Sequence, residues 1–516
     1  MPRPICVSLP QLPIALRAVI WFLAIVSGPL VPYCVVAQSD GLTAAAALEQ
    51  TLTQAIEQAE PSVVSIARWR TNPAELSEEG LPLRNPERLA NQQVHDVIPN
   101  QFSAGILLVA PGQEERFVLT TYHSVRGGVT TGTKPAADSS HLQVRFSSRH
   151  FCPATIYAAD PRSDLAVLKL ETRDLGLRAD ELRPIPWPTT TPVRKGQFVL
   201  TLSNPYWIAR DGSPSVSWGI VSNIARRPAL LKPDTGGLKT LHELGSLLQV
   251  DYRLPIGASG APVLNLRGEL VGICSSIAAI EGFDRSGGFA IPIDAATRWI
   301  IESLLNGHEV EYGFLGIEPN RVLIPANSSL TRQPSAAEAK AVQFGSPAQA
   351  AGIRQGDLVL AVNGQPTLNE LDLMRQVTLH PPEAQVKLTI FRPSNGAELI
   401  LTAKLGKWPV RDDEGIVASQ RRQPLWRGMG VDYPTARQRF VTSQLAIPAA
   451  VLITEVRDDS PAHQAGLQPG DFVVQVNRNP VRTPAEFAAA VKQATGNVTI
   501  RLLVPEGQTR STVVRE

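Results

Sequence analysis

The C-terminal half of the chain contains two copies of one short unit, and this repeat limits the folds available to it. Residues 345–366 align with residues 459–480, and eleven of the 22 aligned positions are identical. Both copies carry Ser-Pro-Ala, a later Gly-Asp pair and Val-Asn in the same register. Similarity at a constant offset indicates two domains of one fold in series. Each copy predicts a turn, a short helix, a Gly-Asp turn and a strand.

Length and composition indicate further structure ahead of the repeat. The chain has 516 residues, which corresponds to about three ordinary domains. Its apolar content of 43% and charged content of 19% are typical of globular proteins. The net charge is +2 without a basic block, so the sequence argues against nucleic-acid binding.

The first 37 residues predict a targeting segment. Arg3 and Arg17 are its only charged residues, residues 18–37 are mostly apolar, and Ala37 offers a small residue for cleavage. An uncleaved membrane anchor is the alternative, since the apolar run is nearly long enough to span a bilayer. One glycine and two prolines near its end disfavour a continuous helix, so a cleaved signal is preferred. Membrane contact is expected only without cleavage, and both interpretations place the remaining chain outside the cytoplasm.

The next 260 or so residues predict an all-β domain. After an Ala-rich helical pattern over residues 43–60, short strand patterns with Gly and Pro turns recur from residue 62 to about residue 293. Residues 71–101 are polar and predict a long surface loop, and residues 295–305 predict a closing helix. Many short strands of this kind are typical of a double β-barrel.

One serine within this domain has the surroundings of a nucleophile. Ser259 lies in the small-residue segment Gly257-Ala258-Ser259-Gly260-Ala261-Pro262, just ahead of an apolar strand. Flanking glycines let the backbone approach a bound carbonyl. The amides of Gly257 and Ser259 are therefore candidates to face a developing oxyanion.

A histidine and an aspartate precede this serine in a meaningful order. Residues 117–123 predict a strand that ends in His123, and residues 160–170 predict a turn, Asp164 and a buried strand. The order His, Asp, Ser suits His123 as general base and Asp164 as the group that orients it, and it differs from the α/β-hydrolase order. Asp160 is the nearest rival of Asp164. Each residue alone fits a structural role, and the combination carries the prediction.

These segments resemble the HtrA (Deg) family of secreted serine proteases. The resemblance implies a chymotrypsin-like double β-barrel, a triad of His123, Asp164 and Ser259, and ATP-independent endopeptidase activity in the periplasm or cell envelope. It also implies unfolded or damaged proteins and peptides as substrates, and a homotrimer. Further segments match in family order: Ser103-Ala104-Gly105, Ser217–Ser222, Leu248–Asp251 and Gly288–Pro292.

The sequence departs from the family pattern close to these residues. The family has Asn before the nucleophile and Gly two residues after it, where this chain has Ala258 and Ala261. Tyr122 and Ser124 replace the usual neighbours of the histidine. The departures leave an alternative function open, a weak or inactive protease-fold scaffold or chaperone that binds proteins through its repeat domains.

The expected substrate pocket is apolar. The residue six before the nucleophile, which is acidic in some such pockets, is Arg253. A preference for small or medium aliphatic side chains over Lys or Arg is therefore predicted. The candidate substrate-binding residues are Arg253, Ile256, Ser275, Ser276 and Ile277.

The repeat unit resembles the PDZ domain as bacterial proteases carry it. In PDZ domains a loop presents amides to a peptide C-terminus, which adds as a strand beside a groove helix. Residues 368–379 and 485–494 are the candidate groove helices. The candidate ligand loops are Phe314, Leu315, Gly316 and Ile317 in the first domain and Met429, Gly430 and Val431 in the second.

The predicted domain limits follow from these patterns. They are residues 1–37 for the targeting segment, 43–306 for the protease domain, 311–406 for the first PDZ domain and 424–514 for the second, with residues 407–423 as the linker. Cys152 and Cys274 are two buried thiols or one disulfide, and the sequence does not decide between them. No cofactor is expected, and no metal-ligand spacing occurs in the sequence.

Overall fold

The structure is a computed structural model. It describes residues 33–70, 99, 101–126, 140–172, 182–187, 192–209, 211–227, 240–276, 287–325, 333–410, 416–436, 447–504 and 508–516. Helix α1, Tyr33–Ala59, contains most of the predicted helix and starts ten residues earlier than predicted. Most of the predicted targeting segment, residues 1–32, lies outside the described residues, as does nearly all of the predicted loop at 71–101. No helix among the described residues is both long and apolar enough to cross a bilayer.

The N-terminal strands form a first closed barrel. Its strands pair in the order β5-β4-β1-β2-β3-β6, and β6 returns to pair with β5. The interior is filled by apolar side chains, among them Leu107, Val118 and Leu168, each with no exposed surface. The strands are β1 Val63–Arg70, β2 Gln101–Val109, β3 Arg116–Thr121, β4 Ser140–Phe146, β5 Phe151–Asp160 and β6 Leu165–Leu170.

A second closed barrel follows. Its order is β10-β11-β12-β9-β8-β7, and Val199, Val250 and Val263 belong to its core. Helix α2, Tyr122–Arg126, belongs to the first barrel, and helix α3, Ala295–Leu305, closes the protease region as predicted. The strands are β7 Phe198–Ser203, β8 Ser215–Arg226, β9 Leu247–Val250, β10 Pro262–Leu264, β11 Leu270–Cys274 and β12 Gly288–Pro292. The double-barrel prediction is confirmed.

Each repeat unit forms a sheet with two helices. In the first, the strand order is β14-β15-β16-β18-β19, and β17 pairs with β16. Strand β14 is therefore an edge strand. The strands are β13 Gly313–Phe314, β14 Ile317–Leu323, β15 Ser335–Val342, β16 Leu358–Val362, β17 Gln365–Pro366, β18 Gln385–Arg392, β19 Ala397–Lys404 and β20 Gly406–Lys407, with helices α4 Pro347–Ala350 and α5 Glu370–Thr378.

The second repeat unit has the same topology. Its order is β22-β23-β24-β26-β27, β25 pairs with β24, and β22 is the edge strand. The elements between the two units and within the second are β21 Val417–Ala418, β22 Met429–Asp432, β23 Val451–Val456, β24 Phe472–Val476, β25 Asn479–Pro480, β26 Val498–Leu503 and β27 Thr509–Val514, with helices α6 Pro461–Gln464 and α7 Pro484–Lys492.

The repeated residues are those that build the turns. Ser346 caps helix α4 by accepting from the amide of Gln349, and Ser460 caps α6 in the same way. The proline that follows each serine occupies the first helical turn, where no amide donor is required. Asn363 has a φ of 49°, and its side chain accepts from the amide of Lys387. The identity between the copies thus reflects caps and turns.

The predicted linker between the repeat domains is more ordered than expected. Lys407 lies in β20, which pairs with β13, and its side chain is fully buried. Strand β21 pairs with the C-terminal half of β5, where Val417 lies opposite Ala159. Pro409 and the charges of this segment predicted a linker, but several of the charges are paired with residues outside the segment.

Candidate active site

The pairing of β3 with β6 brings His123 and Asp164 together. Thr121 ends β3 opposite Leu165, the first residue of β6. In an antiparallel pair the residue after one strand end lies beside the residue before the other. The amide of Tyr122 accordingly donates to the carbonyl of Asp164 at 2.9 Å. His123 lies in α2 directly after β3, so the prediction that the strand ends in this residue was wrong by two positions.

The carboxylate of Asp164 holds the imidazole of His123 in a fixed orientation. Nδ1 of His123 lies 2.9 and 2.8 Å from the two carboxylate oxygens, and the His123 amide donates to Oδ1 at 3.0 Å. The hydroxyl of Ser275 donates to Oδ2 at 3.0 Å. Because an ionised carboxylate only accepts, Nδ1 carries the proton and Nε2 presents a lone pair. Asp164 is 1% exposed and has a positive φ of 55°.

Ser259 lies beside Nε2 of His123, the ring nitrogen that does not contact Asp164. Its Oγ is 3.2 Å from Nε2 of His123, and its carbonyl accepts from the amide of Ala104 at 2.8 Å. Gly260 has a φ of 83°, and a Cβ there would lie 2.1 Å from the carbonyl oxygen of Ala104. Only glycine permits this approach between the turn and strand β2.

The two alanines that depart from the family pattern fit the turn. Positive φ angles, which favour glycine, occur at Gly257 and Gly260 and not at Ala261. The Ala261 amide donates to the carbonyl of Ala258, and the Ala261 carbonyl accepts from Cys274. Both alanine side chains are buried. They therefore complete the packing beneath the serine and leave its hydroxyl accessible.

One of the two predicted oxyanion amides has a defined direction. The carbonyl of Ile256 accepts from the amide of Tyr206 at 2.9 Å. Because the peptide bond is trans and planar, the Gly257 amide points the opposite way, away from Tyr206. Gly257 has a φ of 98°, which bends the chain between this amide and Ser259.

The predicted pocket residues occupy different environments. Arg253 is exposed, Ile256 is 59% exposed, and Ile277 lies outside the described residues. Leu254, which sequence reasoning did not single out, packs against the second barrel core, and a Cβ on Gly288 would lie 2.5 Å from its Cγ. At this turn, therefore, an apolar side chain packs against the barrel core, and the arginine is exposed.

The two serines after β11 contact the candidate triad directly. Ser275 is buried and bonds to Asp164, as described above. Ser276 is exposed, and its Oγ lies 2.9 Å from the Ser259 hydroxyl and 3.2 Å from Nε2 of His123. Both were predicted to bind substrate, and their position directly after a buried strand was the available signal.

Sequence reasoning missed a second histidine behind the site. His242 is buried, its Nε2 lies 2.9 Å from the carbonyl of Ser163, and its Nδ1 lies 2.8 Å from the hydroxyl of Ser246. Burial lowers the pKa of His242 below its ordinary value. The His242 ring is therefore neutral, and its Nε2–H donates to the carbonyl of Ser163, the residue that precedes Asp164. No sequence pattern marks this histidine, because the contact joins residues far apart in the chain.

The first ligand loop has the expected turn. Phe314 lies in β13, Leu315 is 4% exposed, Gly316 has a φ of 83°, and Ile317 begins the edge strand β14. The carbonyl of Leu315 accepts from the amide of Ala348 in α4. The amides at this turn therefore lie at the start of an open strand edge that packs beside α5.

The second ligand loop lies further towards the N-terminus than predicted. Arg427 takes the place of Leu315, since its carbonyl accepts from the amide of Ala462 in α6. Gly428, with a φ of 85°, takes the place of Gly316, while the predicted Met429, Gly430 and Val431 lie in strand β22. The segment between this glycine and the helix-capping serine is two residues longer in the second copy, so the constant offset of the repeat did not align Gly428 with Gly316.

The described residues provide no metal centre. No three His, Cys, Asp or Glu side chains among them come close enough to hold an ion. Cys152 and Cys274 are both free and buried, so they do not pair. Burial raises the pKa of each thiol to about 12.

Comparison with known proteins identifies the domains and the family of this chain. The profile of the trypsin-like peptidase domain matches residues 104–273, and that of the PDZ domain matches residues 338–392 and 452–504. One relative, named "Probable periplasmic serine endoprotease DegP-like", comes from Pseudomonas putida (strain GB-1). It is 30% identical over 480 residues, which cover 88% of this chain and 90% of the relative. The chain belongs to the HtrA/Deg family of serine proteases.

Further proteins are also similar to this HtrA/Deg chain. A DegP-like protein of P. putida (strain W619) is 31% identical and covers 73% of this chain and 74% of its own length. The structure of a serine endoprotease from Yersinia pestis has 22% identity and a TM-score of 0.41, with 69% of this chain and 97% of that chain covered. The HtrA/Deg protein is a serine endopeptidase with PDZ domains, acts on proteins or peptides, and belongs outside the cytoplasm.

Proposed function

We propose that Ser259, His123 and Asp164 form the catalytic triad. The observation that carries the proposal is the contact of 3.2 Å between Ser259 Oγ and Nε2 of a histidine whose Nδ1 is bound to a buried carboxylate. His123 takes the serine proton during attack and returns it to the leaving amine. Asp164 keeps the ring in the required tautomer and stabilises the imidazolium.

The reaction is acyl transfer to Ser259 followed by hydrolysis. The Oγ lone pair forms the bond to the scissile carbonyl carbon, the carbonyl electrons move to its oxygen, and the proton goes to Nε2. The amides of Gly257 and Ser259 bind the oxyanion. Water activated by His123 then releases the acyl group.

The substrates we propose are unfolded or damaged proteins of the cell envelope. Leu254 packs against the second barrel core and Arg253 is exposed, which favours small or medium aliphatic side chains over Lys or Arg before the scissile bond. The open edges of β14 and β22 accept extended peptide C-termini as added strands, with α5 and α7 as the groove helices. An N-terminal signal exports the chain, which acts as a homotrimer in the periplasm.

Substitution of the nucleophile tests the proposal. Ser259→Ala is expected to abolish casein hydrolysis and reaction with a fluorophosphonate probe while the circular dichroism spectrum is unchanged. Ser222→Ala, which removes a hydroxyl bound to the Gln249 carbonyl in the same barrel, is the control. Casein turnover by purified Ser259→Ala, or failure of the native chain to react with the probe, would favour a non-catalytic scaffold.

A further inference from the structure

The hydroxyl of Ser276 lies between the two groups that must exchange a proton. Its Oγ accepts from the Ser259 hydroxyl at 2.9 Å, a shorter contact than the 3.2 Å between Ser259 Oγ and Nε2 of His123. Ser276 Oγ is itself 3.2 Å from Nε2. The three atoms form a closed triangle, in which the serine proton has two possible acceptors.

The backbone of Ser276 also engages the candidate nucleophile. Its amide donates to Ser259 Oγ at 3.3 Å. A hydroxyl oxygen has one proton and two lone pairs. The Ser276 hydroxyl therefore accepts the proton of Ser259 in a hydrogen bond. The Ser276 amide donates to one lone pair of Ser259 Oγ.

Acylation requires the Ser259 proton to leave Ser276, whereas the second lone pair of Ser259 Oγ stays free for attack. The Ser259 proton must point at Nε2, and a lone pair of Oγ must face the carbonyl carbon of the substrate. While Ser259 donates to Ser276, its proton does not point at the base. Breaking the hydrogen bond from Ser259 to Ser276 costs free energy, and this cost adds to the barrier of acylation because the bond is present in the resting protein.

We propose that Ser276 is a positioning residue that holds the Ser259 hydroxyl in a resting orientation and slows acylation by competing with His123 for the serine proton. The inference rests on the proposed triad. It assigns to the Ser276 side chain a role other than substrate contact. A net contribution typical of one neutral hydrogen bond corresponds to about a 3- to 10-fold effect on rate.

The test compares Ser276→Ala and Ser276→Thr with the native full-length chain. A fluorophosphonate reports the nucleophile directly, since Ser259 Oγ forms the bond to phosphorus, fluoride leaves and the proton goes to His123. Ser276→Ala is expected to react about 3- to 10-fold faster, and its kcat on a peptide substrate should rise with KM nearly unchanged. Ser276→Thr, which keeps the hydroxyl, should restore the native rate.

The outcomes separate this inference from the proposed function. If the native chain does not react with the probe, the triad assignment fails and this inference fails with it. If the native chain reacts but Ser276→Ala is equal or slower, the triad stands and the competition is refuted. A slower Ser276→Ala would instead indicate that Ser276 passes the proton to His123. Ser222→Ala, in the same barrel, is expected to react at the native rate.

Discussion

The ammonium of Lys407 lies 2.9 Å from a carboxylate oxygen of Asp432, in a contact that joins the first PDZ domain to the second. Glu309 and Glu311, which follow the protease domain, lie 3.1 and 3.2 Å from the same nitrogen. Lys407 is 1% exposed at its side chain, and its three partners are largely buried. One cation therefore holds three carboxylates from two separate parts of the chain at a single junction.

Removal of this cation should destabilise the junction. Lys407→Met leaves Glu309, Glu311 and Asp432 without their shared counter-ion, and breaking a buried pair in this way costs about 3–5 kcal/mol. Urea unfolding of the full-length chain measures the effect. Lys340→Met removes an exposed pair with Glu318 and should change the free energy of unfolding by about 1 kcal/mol or less. Equal losses in the two variants would contradict the prediction.

The stability of the protease domain should decrease on acidification because of His242. Burial lowers the pKa of His242 in the folded state, so the unfolded chain binds the proton first. The free energy of unfolding therefore falls as pH drops below about 6.5, the ordinary histidine pKa, by at most about 1.4 kcal/mol per pH unit. His242→Gln should reduce this slope in urea titrations between pH 7.5 and 5.5, and an unchanged slope would contradict the prediction.

Gly260 should tolerate no side chain. In Gly260→Ala the added Cβ meets the Ala104 carbonyl oxygen at 2.1 Å in addition to the backbone strain at a φ of 83°. Protease activity should be lost, together with several kcal/mol of stability. Gly112→Ala separates the two causes, since Gly112 has a φ of 77° with no atom within 4 Å of the added Cβ. It should cost only about 1–2 kcal/mol and keep full activity.

The contact of Arg375 with the protease domain should protect a nearby turn. Its guanidinium donates to the carbonyls of Leu244 at 3.2 Å and Gly245 at 3.0 Å. Bonds from a charged donor contribute about 1.5–3 kcal/mol. Arg375→Ala should therefore accelerate amide hydrogen exchange over residues 241–246, and exposed Arg354→Ala should leave it unchanged. Unchanged exchange in both variants would show that the turn is stable without this contact.

The sequence was most informative where function depends on residue type and order. His123, Asp164 and Ser259 could be selected because each lies beside a strong strand or turn pattern. Antiparallel pairing then brings His123 and Asp164 together, and the contact of the Ser259 turn with strand β2 adds the serine. Ser276 was selected only as a substrate-binding candidate and His242 was not selected, because their contacts with Ser259 and Ser163 join distant segments and no local pattern encodes such contacts. Lys407 was assigned to a linker because its segment contains Pro409 and several charges, and only three-dimensional proximity to carboxylates explains its burial.

The pairing of β21 with β5 bears on the resistance of the chain to autoproteolysis. Segments between domains are preferred sites of nicking, because proteases bind substrates as extended, unpaired chain. The amide of Gln420 donates to the carbonyl of Gly307, next to the pairing of Val417 with Ala159. The endopeptidase thus keeps this part of its own connecting chain hydrogen-bonded to the protease domain, where it is a poor substrate for cleavage by other copies of the enzyme.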